Sequence, residues 1–472
     1  MTVLTYGHDL RGALHPRNVA VSEVEAETSM QLISETAVEG RPGPVFPEAY
    51  PRVDGLQFYD GKAFTHGQPF NTFARLRESS PVCWHPEPGE LPGFWAVTRH
   101  ADVMRVNGDP ATFSSQRGGI LMMTPKPGMG HVLLQRASLD TMINLDAPQH
   151  LQLRREHMPF FTTAYLNQLK AKVVAEVTRM VDEMAPRGGG DMVEMFSSRL
   201  PLYTLCEILG VPEADRPKFL HWMHYLELAQ NLAAEQAAAP LTPSIELMQF
   251  VADFNANVEE MFAYGQHMLH KRRQDPQQDL MSAIARAQVD GELLSDEYLD
   301  GSWLLIIFAG NDTTRNTLSG AMKLLTEFPD QKAKLIAQPE LLANAADEFI
   351  RLVSPVIYMR RTALEDTEIA EQKIAAGEKV IMYYGAANRD PAVFENPDRL
   401  DVARSNANKH IAFGYGPHVC LGKRVAQIQL EEAYRQILGR FPDIEWTGEM
   451  DIAPNNFVHA IRKLGVRYAP RN

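Results

Sequence analysis

Three cysteines in 472 residues, Cys83, Cys206 and Cys420, are too few and too far apart for a disulfide framework or a cysteine-rich zinc site. Long apolar runs are missing as well: no stretch reaches the ~20 residues that a membrane-spanning helix needs. The opening segment, Met1 to Leu10, has no apolar core followed by a cleavage site. A protein free in a reducing cytoplasm, with no membrane partner, is the expectation. Positive charge is in deficit, and a formal net charge of −13 argues against nucleic acid as a partner. The acidic residues form no tail and read as a solvated surface. No repeat of fixed period occurs.

A hydrophobic content of 45% is enough to bury a sizeable core, which excludes disorder for the whole chain. Residues 1–50 are polar and weakly periodic, and read as a partly irregular extension; residues 51–472 read as a single domain. Val82–His85 and Phe94–Thr98 suit a short hairpin. The Gly-, Pro- and Met-rich stretch from Gln116 to Asp140 reads as a long loop, either one wall of an adaptable apolar pocket or a poorly ordered surface segment. From Pro148 to Phe328 the pattern is helical, with apolar spacing over Leu166–Met184 and further helices near Pro217–Leu232 and Ser244–Arg273. Strand signals return at Lys379–Tyr384. A loop-rich region from Asn388 to His410, a helix after Cys420 and a β-like tail around Asn455–Val466 complete a mainly α fold with a small β portion.

Ser295 to Phe328 predicts a helix of more than thirty residues, roughly 50 Å long at 1.5 Å per residue. Its middle, Trp303 to Phe308, is apolar all round and should be buried. Within it sit Ala309-Gly310-Asn311-Asp312-Thr313-Thr314, where a glycine, an acid and two hydroxyls cost stability. Such a local conflict marks function.

The most specific signal is Phe413-Gly414-Tyr415-Gly416-Pro417-His418-Val419-Cys420-Leu421-Gly422. Glycines in a tight turn can aim successive N–H groups at one atom. The amphipathic segment Val425–Phe441 puts Cys420 at a helix N-terminus, where the dipole favours a thiolate. Gly422 would let a flat cofactor approach the backbone. These are the needs of a thiolate on haem iron. A lone buried cysteine would be the ordinary reading without this surround, and a cysteine nucleophile lacks an evident His/Asn arrangement here.

This segment resembles the haem-binding loop of the cytochromes P-450, a resemblance that runs from about Phe70 onward. It implies that fold, a triangular prism with a long central helix over the haem, and a haem b cofactor bound through Cys420, with residues 51–472 as the catalytic domain. Glu348-Phe349-Ile350-Arg351 is similar to the family's E-x-x-R helix, whose pair is joined by an arginine that Arg399 matches; the three are given a structural role. His150 and Arg154 share a helix face, and with Arg361 and His418 they match the family's haem-propionate partners. Ala309–Thr314 resembles the oxygen-activation motif, with Asp312 and Thr313 as the acid–alcohol pair that relays protons and with Ala309 and Gly310 leaving room for oxygen. Phe413 and Gly414 belong to the cofactor loop.

The resemblance implies a monooxygenase taking dioxygen and two electrons from a ferredoxin and its reductase, acting as a monomer. Lys423 and Arg424 offer a docking patch for the ferredoxin, or are two solvated helix residues. Leu305, Phe308, Ile357, Met359, Phe457 and Val458, with Met122 and Met123, are the expected apolar walls of the substrate pocket. Core packing competes for each, since apolar residues need no ligand to be buried. Similarity to hydroxylases of alkyl chains, terpenoids and steroids makes a lipophilic substrate the expectation. Two rival readings are a haem-thiolate isomerase or dehydratase that needs no redox partner, and a non-catalytic haem sensor or carrier.

Overall fold

Residues 55, 57–87, 92–122, 132–139, 141–238 and 244–471 are described by the structure, a computed structural model. The extension expected over residues 1–50 lies outside them. The main helices in chain order are α1 (Phe70–Ser79), α2 (His100–Gly108), α3 (Val132–Leu139), α4 (Gln149–His157), α5 (Thr163–Met184), α6 (Arg199–Leu209), α7 (Arg216–Ala238), α8 (Ile245–Gln274), α9 (Leu280–Arg286), α10 (Asp296–Glu327), α11 (Pro329–Ala337), α12 (Leu342–Val353) and α13 (Lys423–Arg440). The strands that matter for the site are β1 (Val82–His85), β2 (Phe94–Val97), β3 (Phe113–Ser114), β4 (Gly189–Asp191), β5 (Tyr358–Ala363), β6 (Lys379–Tyr383), β7 (Glu445–Ile452) and β8 (Ile461–Arg467).

The long helix α10 organises the rest. Ser295, in extended conformation, precedes it, and Asp296 and Glu297 fill its first turn, where the helix dipole favours negative charge. Leu299, Trp303, Leu304 and Ile307 bury completely or nearly so, each contributing roughly 1.5–3 kcal/mol of apolar burial. Trp303 also donates its indole N–H to the Met261 carbonyl of α8 at 3.1 Å. Further along, the Tyr434 hydroxyl of α13 donates to the Leu318 carbonyl at 2.5 Å. Helix α10 is thereby fixed by neighbours along its length and presents one remaining face to a cavity.

The main sheet has the order β1-β2-β6-β5-β3. Strand β6 runs parallel to β2, with Val380 opposite Trp95, and antiparallel to β5, with Val380 opposite Arg361. Strands from the first quarter of the chain and from beyond α12 thus share one sheet. Alternation along β5 puts Met359 and Arg361 on the same face, and both turn toward the cavity. A second sheet has the order β7-β8-β4.

Two expectations about elements are corrected. The stretch Gln116–Asp140 is not loop throughout, because α3 forms at Val132–Leu139; residues 123–131 and 140 lie outside the described ones. The C-terminal strands flank Asn455–Val458 instead of including it. Asn455 Oδ1 accepts the N–H groups of Phe457 and Val458 at 2.8 and 3.1 Å, a local side-chain turn that competes with strand pairing.

The E-x-x-R helix is α12, and its pair is fully buried. Arg351 donates Nε–H and Nη–H to the two Glu348 oxygens at 2.7 and 2.8 Å. The third member is Arg404, not Arg399. Arg404 Nε–H reaches Glu348 Oε1 at 2.9 Å, whereas the Arg399 side chain is 53% exposed and pairs with Asp330. Arg399 contributes only its carbonyl, which accepts from Arg404 at 3.1 Å. Among the described residues no helix is long and apolar enough to cross a membrane.

Candidate active site

The turn that carries Cys420 is built on backbone constraints. Gly414 and Gly416 have φ of +74° and +72°, and a Cβ at Gly416 would stand 2.8 Å from the Asn107 carbonyl oxygen. Only glycine meets both demands there. The Cys420 N–H donates to the Phe413 carbonyl at 2.9 Å, closing the turn. Gly422 is the N-cap of α13, and the N–H groups of Gly422 and Lys423 point at Cys420 Sγ. Burial raises the thiol's pKa overall, and those N–H groups and the charges of Arg154 and Lys423 offset only part of the rise. Cys83 and Cys206 differ: both are buried, which pushes their thiols up to about 12.

The accessible surface of Cys420 faces a cavity with about 290 Å³ open to the centres of water molecules. One water needs roughly 10–15 Å³ on that measure, so the space suits a large ligand. Its wall along α10 includes Leu305, Ile306, Ala309, Gly310, Thr313 and Thr317, a stripe at helical period, with Ser302 and Thr314 at its margins. Ala309 is exposed to this space although it lies mid-helix. The Thr313 hydroxyl donates to the Ala309 carbonyl at 3.2 Å, leaving its oxygen free to accept from the cavity side.

Cationic and aromatic donors gather on another wall. His150 and His418 stack with ring centroids 3.8 Å apart. Burial and the charges of Arg154 and Arg361 depress His150 to about 4, and burial, Arg361, His150 and Arg154 depress His418 further, so both rings are neutral at physiological pH. Arg154 donates to the Val419 carbonyl at 2.6 Å. Arg361 donates to the Arg360 carbonyl at 2.8 Å and to Asn107 Oδ1 at 3.3 Å. Among the described residues, neither guanidinium has a carboxylate within ion-pair distance, and burial lowers the pKa of both. Two cations held beside a cavity without a protein counter-ion are costly alone and stable with a bound dianion.

The sequence profile described as Cytochrome P450 matches residues 79–457. The chain belongs to the cytochrome P450 family. It is 33% identical to a linalool 8-monooxygenase of Pseudomonas putida over 86% of this chain and 97% of that one. It is 32% identical to a steroid C26-monooxygenase of Rhodococcus jostii over 88% and 85%. A cytochrome P450 of Mycobacterium marinum, solved in complex with pseudoionone, superposes with a TM-score of 0.78 at 34% identity, covering 91% of this chain and all of the other. The protein is accordingly a P450 monooxygenase, with haem as the family's cofactor on a cysteine thiolate. The residues present fit that group: one cysteine with N–H support opens on the cavity, and two guanidiniums match two propionates in charge.

Within this P450 the expected residues divide. His150, Arg154, Ala309, Gly310, Arg361, Phe413, Gly414, His418, Cys420 and Gly422 all line the cavity, as does Thr313. Gly310 has a second role, since a Cβ there would come within 2.9 Å of Leu205 on α6. Asp312 does not reach the wall. It lies beside the stripe, accepts from Asn311 at 3.2 Å and pairs with Arg315 at 3.5 Å.

Of the apolar candidates, Leu305 and Met359 line the cavity. Met122 and Ile357 are buried in a separate apolar cluster, against which Phe457 packs, and Val458 bridges to Val356. Phe308 packs against the main core, because it sits roughly 100° round the helix from Ala309. Met123 lies outside the described residues. The sequence reading missed Asn107, Tyr384, Leu205 and Val356. Asn107 and Tyr384 share a hydrogen bond of 3.0 Å beside Arg361, and neither stands in a motif that would have singled it out.

Proposed function

We propose that the protein hydroxylates a lipophilic alkyl chain, terpenoid or steroid, converting R–H, O2, two electrons and two protons into R–OH and water. The observation that carries this reading is that Cys420 Sγ and Thr313 Oγ1 open on one cavity whose wall also holds Arg154 and Arg361. The named substrates of the relatives support the substrate class. Electrons come from a ferredoxin and its reductase, and the protein works as a monomer in the cytoplasm.

Cys420 would hold the haem iron, and Arg154, Arg361, His150 and His418 would hold the propionates. When bound, the haem iron supplies dioxygen activation and oxidation of a C–H bond. Thr313 offers a hydroxyl at the cavity wall, able to accept a proton and pass one on. Asp312, paired with Arg315 outside the stripe, would need a side-chain rearrangement to exchange a proton with that hydroxyl. Ala309 and Gly310 keep side-chain bulk out of the cavity along the α10 wall. Leu305, Ile306, Val356 and Met359 supply apolar surface that orients the substrate and excludes water. Arg424, exposed at the start of α13, and Lys423, whose ammonium lies 5.6 Å from the Phe413 ring centre, supply positive charge for an acidic ferredoxin.

The reduced, carbon-monoxide-bound protein should show the strongly red-shifted Soret band of thiolate-ligated haem. Turnover should require reductase and ferredoxin; product formed without them would favour an isomerase or dehydratase. Thr313→Ala should keep haem, substrate binding and the red-shifted band while product formation falls on the order of 10²-fold, the loss typical of a positioned proton donor. The diverted electrons should appear as hydrogen peroxide, measured against NADH consumed. Undiminished coupling would remove Thr313 from the proton path.

A further inference from the structure

On the α12 side of the cysteine turn, three elements build a second buried polar unit. Asp347 of α12 accepts from His410 Nε2 at 3.3 Å and from Gln427 Nε2 of α13 at 2.5 Å. The other ring nitrogen of His410 fixes its tautomer: Nδ1 accepts the Ala412 N–H at 3.2 Å, so the proton sits on Nε2 facing Asp347. All three side chains are buried. His410 precedes the turn and Gln427 follows it, so a single carboxylate ties both of its arms to α12.

The contrast with the next residue is informative. Glu348 is met by two guanidiniums, whereas no Lys or Arg among the described residues stands within ion-pair distance of Asp347. Burial pushes the Asp347 carboxyl up, but the hydrogen bonds from His410 and Gln427 and the Lys423 charge bring it below the usual range. Burial lowers His410 as well, which keeps the ring neutral. The unit therefore carries one net negative charge. It is coupled to the cysteine in two ways: Lys423 acts on both Asp347 and Cys420, and the His410 ring lies 5.4 Å from that of Phe413, whose carbonyl accepts the Cys420 N–H.

We propose that Asp347 is a positioning residue whose charge, held against the cysteine turn by His410 and Gln427, sets the ferric–ferrous equilibrium of the haem on Cys420. This rests on the haem-thiolate reading of Cys420. A fixed anion in a medium of low effective dielectric disfavours an added electron nearby.

The test is a potentiometric titration of the holoenzyme, followed by its absorption spectrum. Asp347→Asn should raise the ferrous-to-ferric ratio at fixed potential roughly three- to tenfold while retaining the red-shifted carbon-monoxide band. Asp347→Glu should return the ratio to that of the wild type. Gln427→Leu leaves the charge and removes one neutral donor, so it should lower the ratio; it decides the matter if Asp347→Asn does not accumulate as folded protein. An unmoved ratio in Asp347→Asn or in Gln427→Leu overturns the proposal, as does Asp347→Glu shifting as far as Asp347→Asn. A wild-type protein without the red-shifted band strikes the haem-thiolate reading instead.

Discussion

Cys420→Ser protein should lose the red-shifted Soret band and its hydroxylase activity, yet remain folded. The sulfur faces the cavity and is met by the backbone N–H groups of Gly422 and Lys423, so a hydroxyl of similar size disturbs little packing. What it removes is the anion. Burial holds the free Cys420 thiol above its ordinary value, so bound iron would be what keeps the sulfur a thiolate, whereas a serine hydroxyl would stay protonated. The N–H groups of Gly422 and Lys423 would then face a neutral oxygen, and the electron donation that favours O–O cleavage would be gone. Cys83→Ser and Cys206→Ser are the controls. Both thiols are buried and pushed up to about 12, so both variants should keep the band. A Cys420→Ser protein that retains it would put the iron on another residue.

The second large effect is on stability. Arg404→Ala should destabilise the protein by roughly 3–5 kcal/mol, the usual cost of breaking a buried charge cluster from one side. Total stabilities run only about 5–15 kcal/mol, so much of the protein should fail to hold its cofactor. Arg404 Nε–H stabilises Glu348, and its Nη–H groups also satisfy the Glu395 and Arg399 carbonyls at 2.6 and 3.1 Å. Arg399→Ala should cost less than about 1 kcal/mol, as expected of an exposed ion pair. Denaturant midpoints of the two variants, compared with the wild type, check the order. The reverse order would restore the role that sequence similarity assigned to Arg399.

That case shows where the sequence stopped being legible. Glu348 and Arg351 are readable because their spacing on one helix face forces them together. Arg399 and Arg404 both lie in a loop-rich stretch without period, where spacing says nothing about direction. The cysteine turn was legible for the opposite reason: ten consecutive residues hold both the backbone constraints and the ligand. The stripe along α10 was half legible. Its period was clear, but Phe308 and Asp312, assigned by motif position, lie beside a wall that Ile306 and Thr317 occupy. The remaining walls come from α6, β5 and the Val356 region, brought together by packing that leaves no local trace. Ile357, Phe457 and Val458 were assigned to the pocket by motif position and Met122 as part of the Met-rich loop, and three of the four fill or pack on a neighbouring core.

The Asn107 contacts have a consequence for how the chain matures. Its carbonyl abuts Gly416 in the cysteine turn, and its side chain bonds Tyr384 and Arg361. The groups that would grip the cofactor are therefore drawn from residues 107, 154, 361 and 420, nearly the full span of the domain. Contacts so distant in sequence form late, after much loop entropy has been lost. A chain that has not yet brought Cys420 to Asn107 and Arg361 has no complete grip, so haem capture follows the assembly of these distant segments. Because the ligand binds only the assembled form, it acts as a thermodynamic lock on a topology already reached, and haem supply during expression should govern yield more than it governs the early steps of folding.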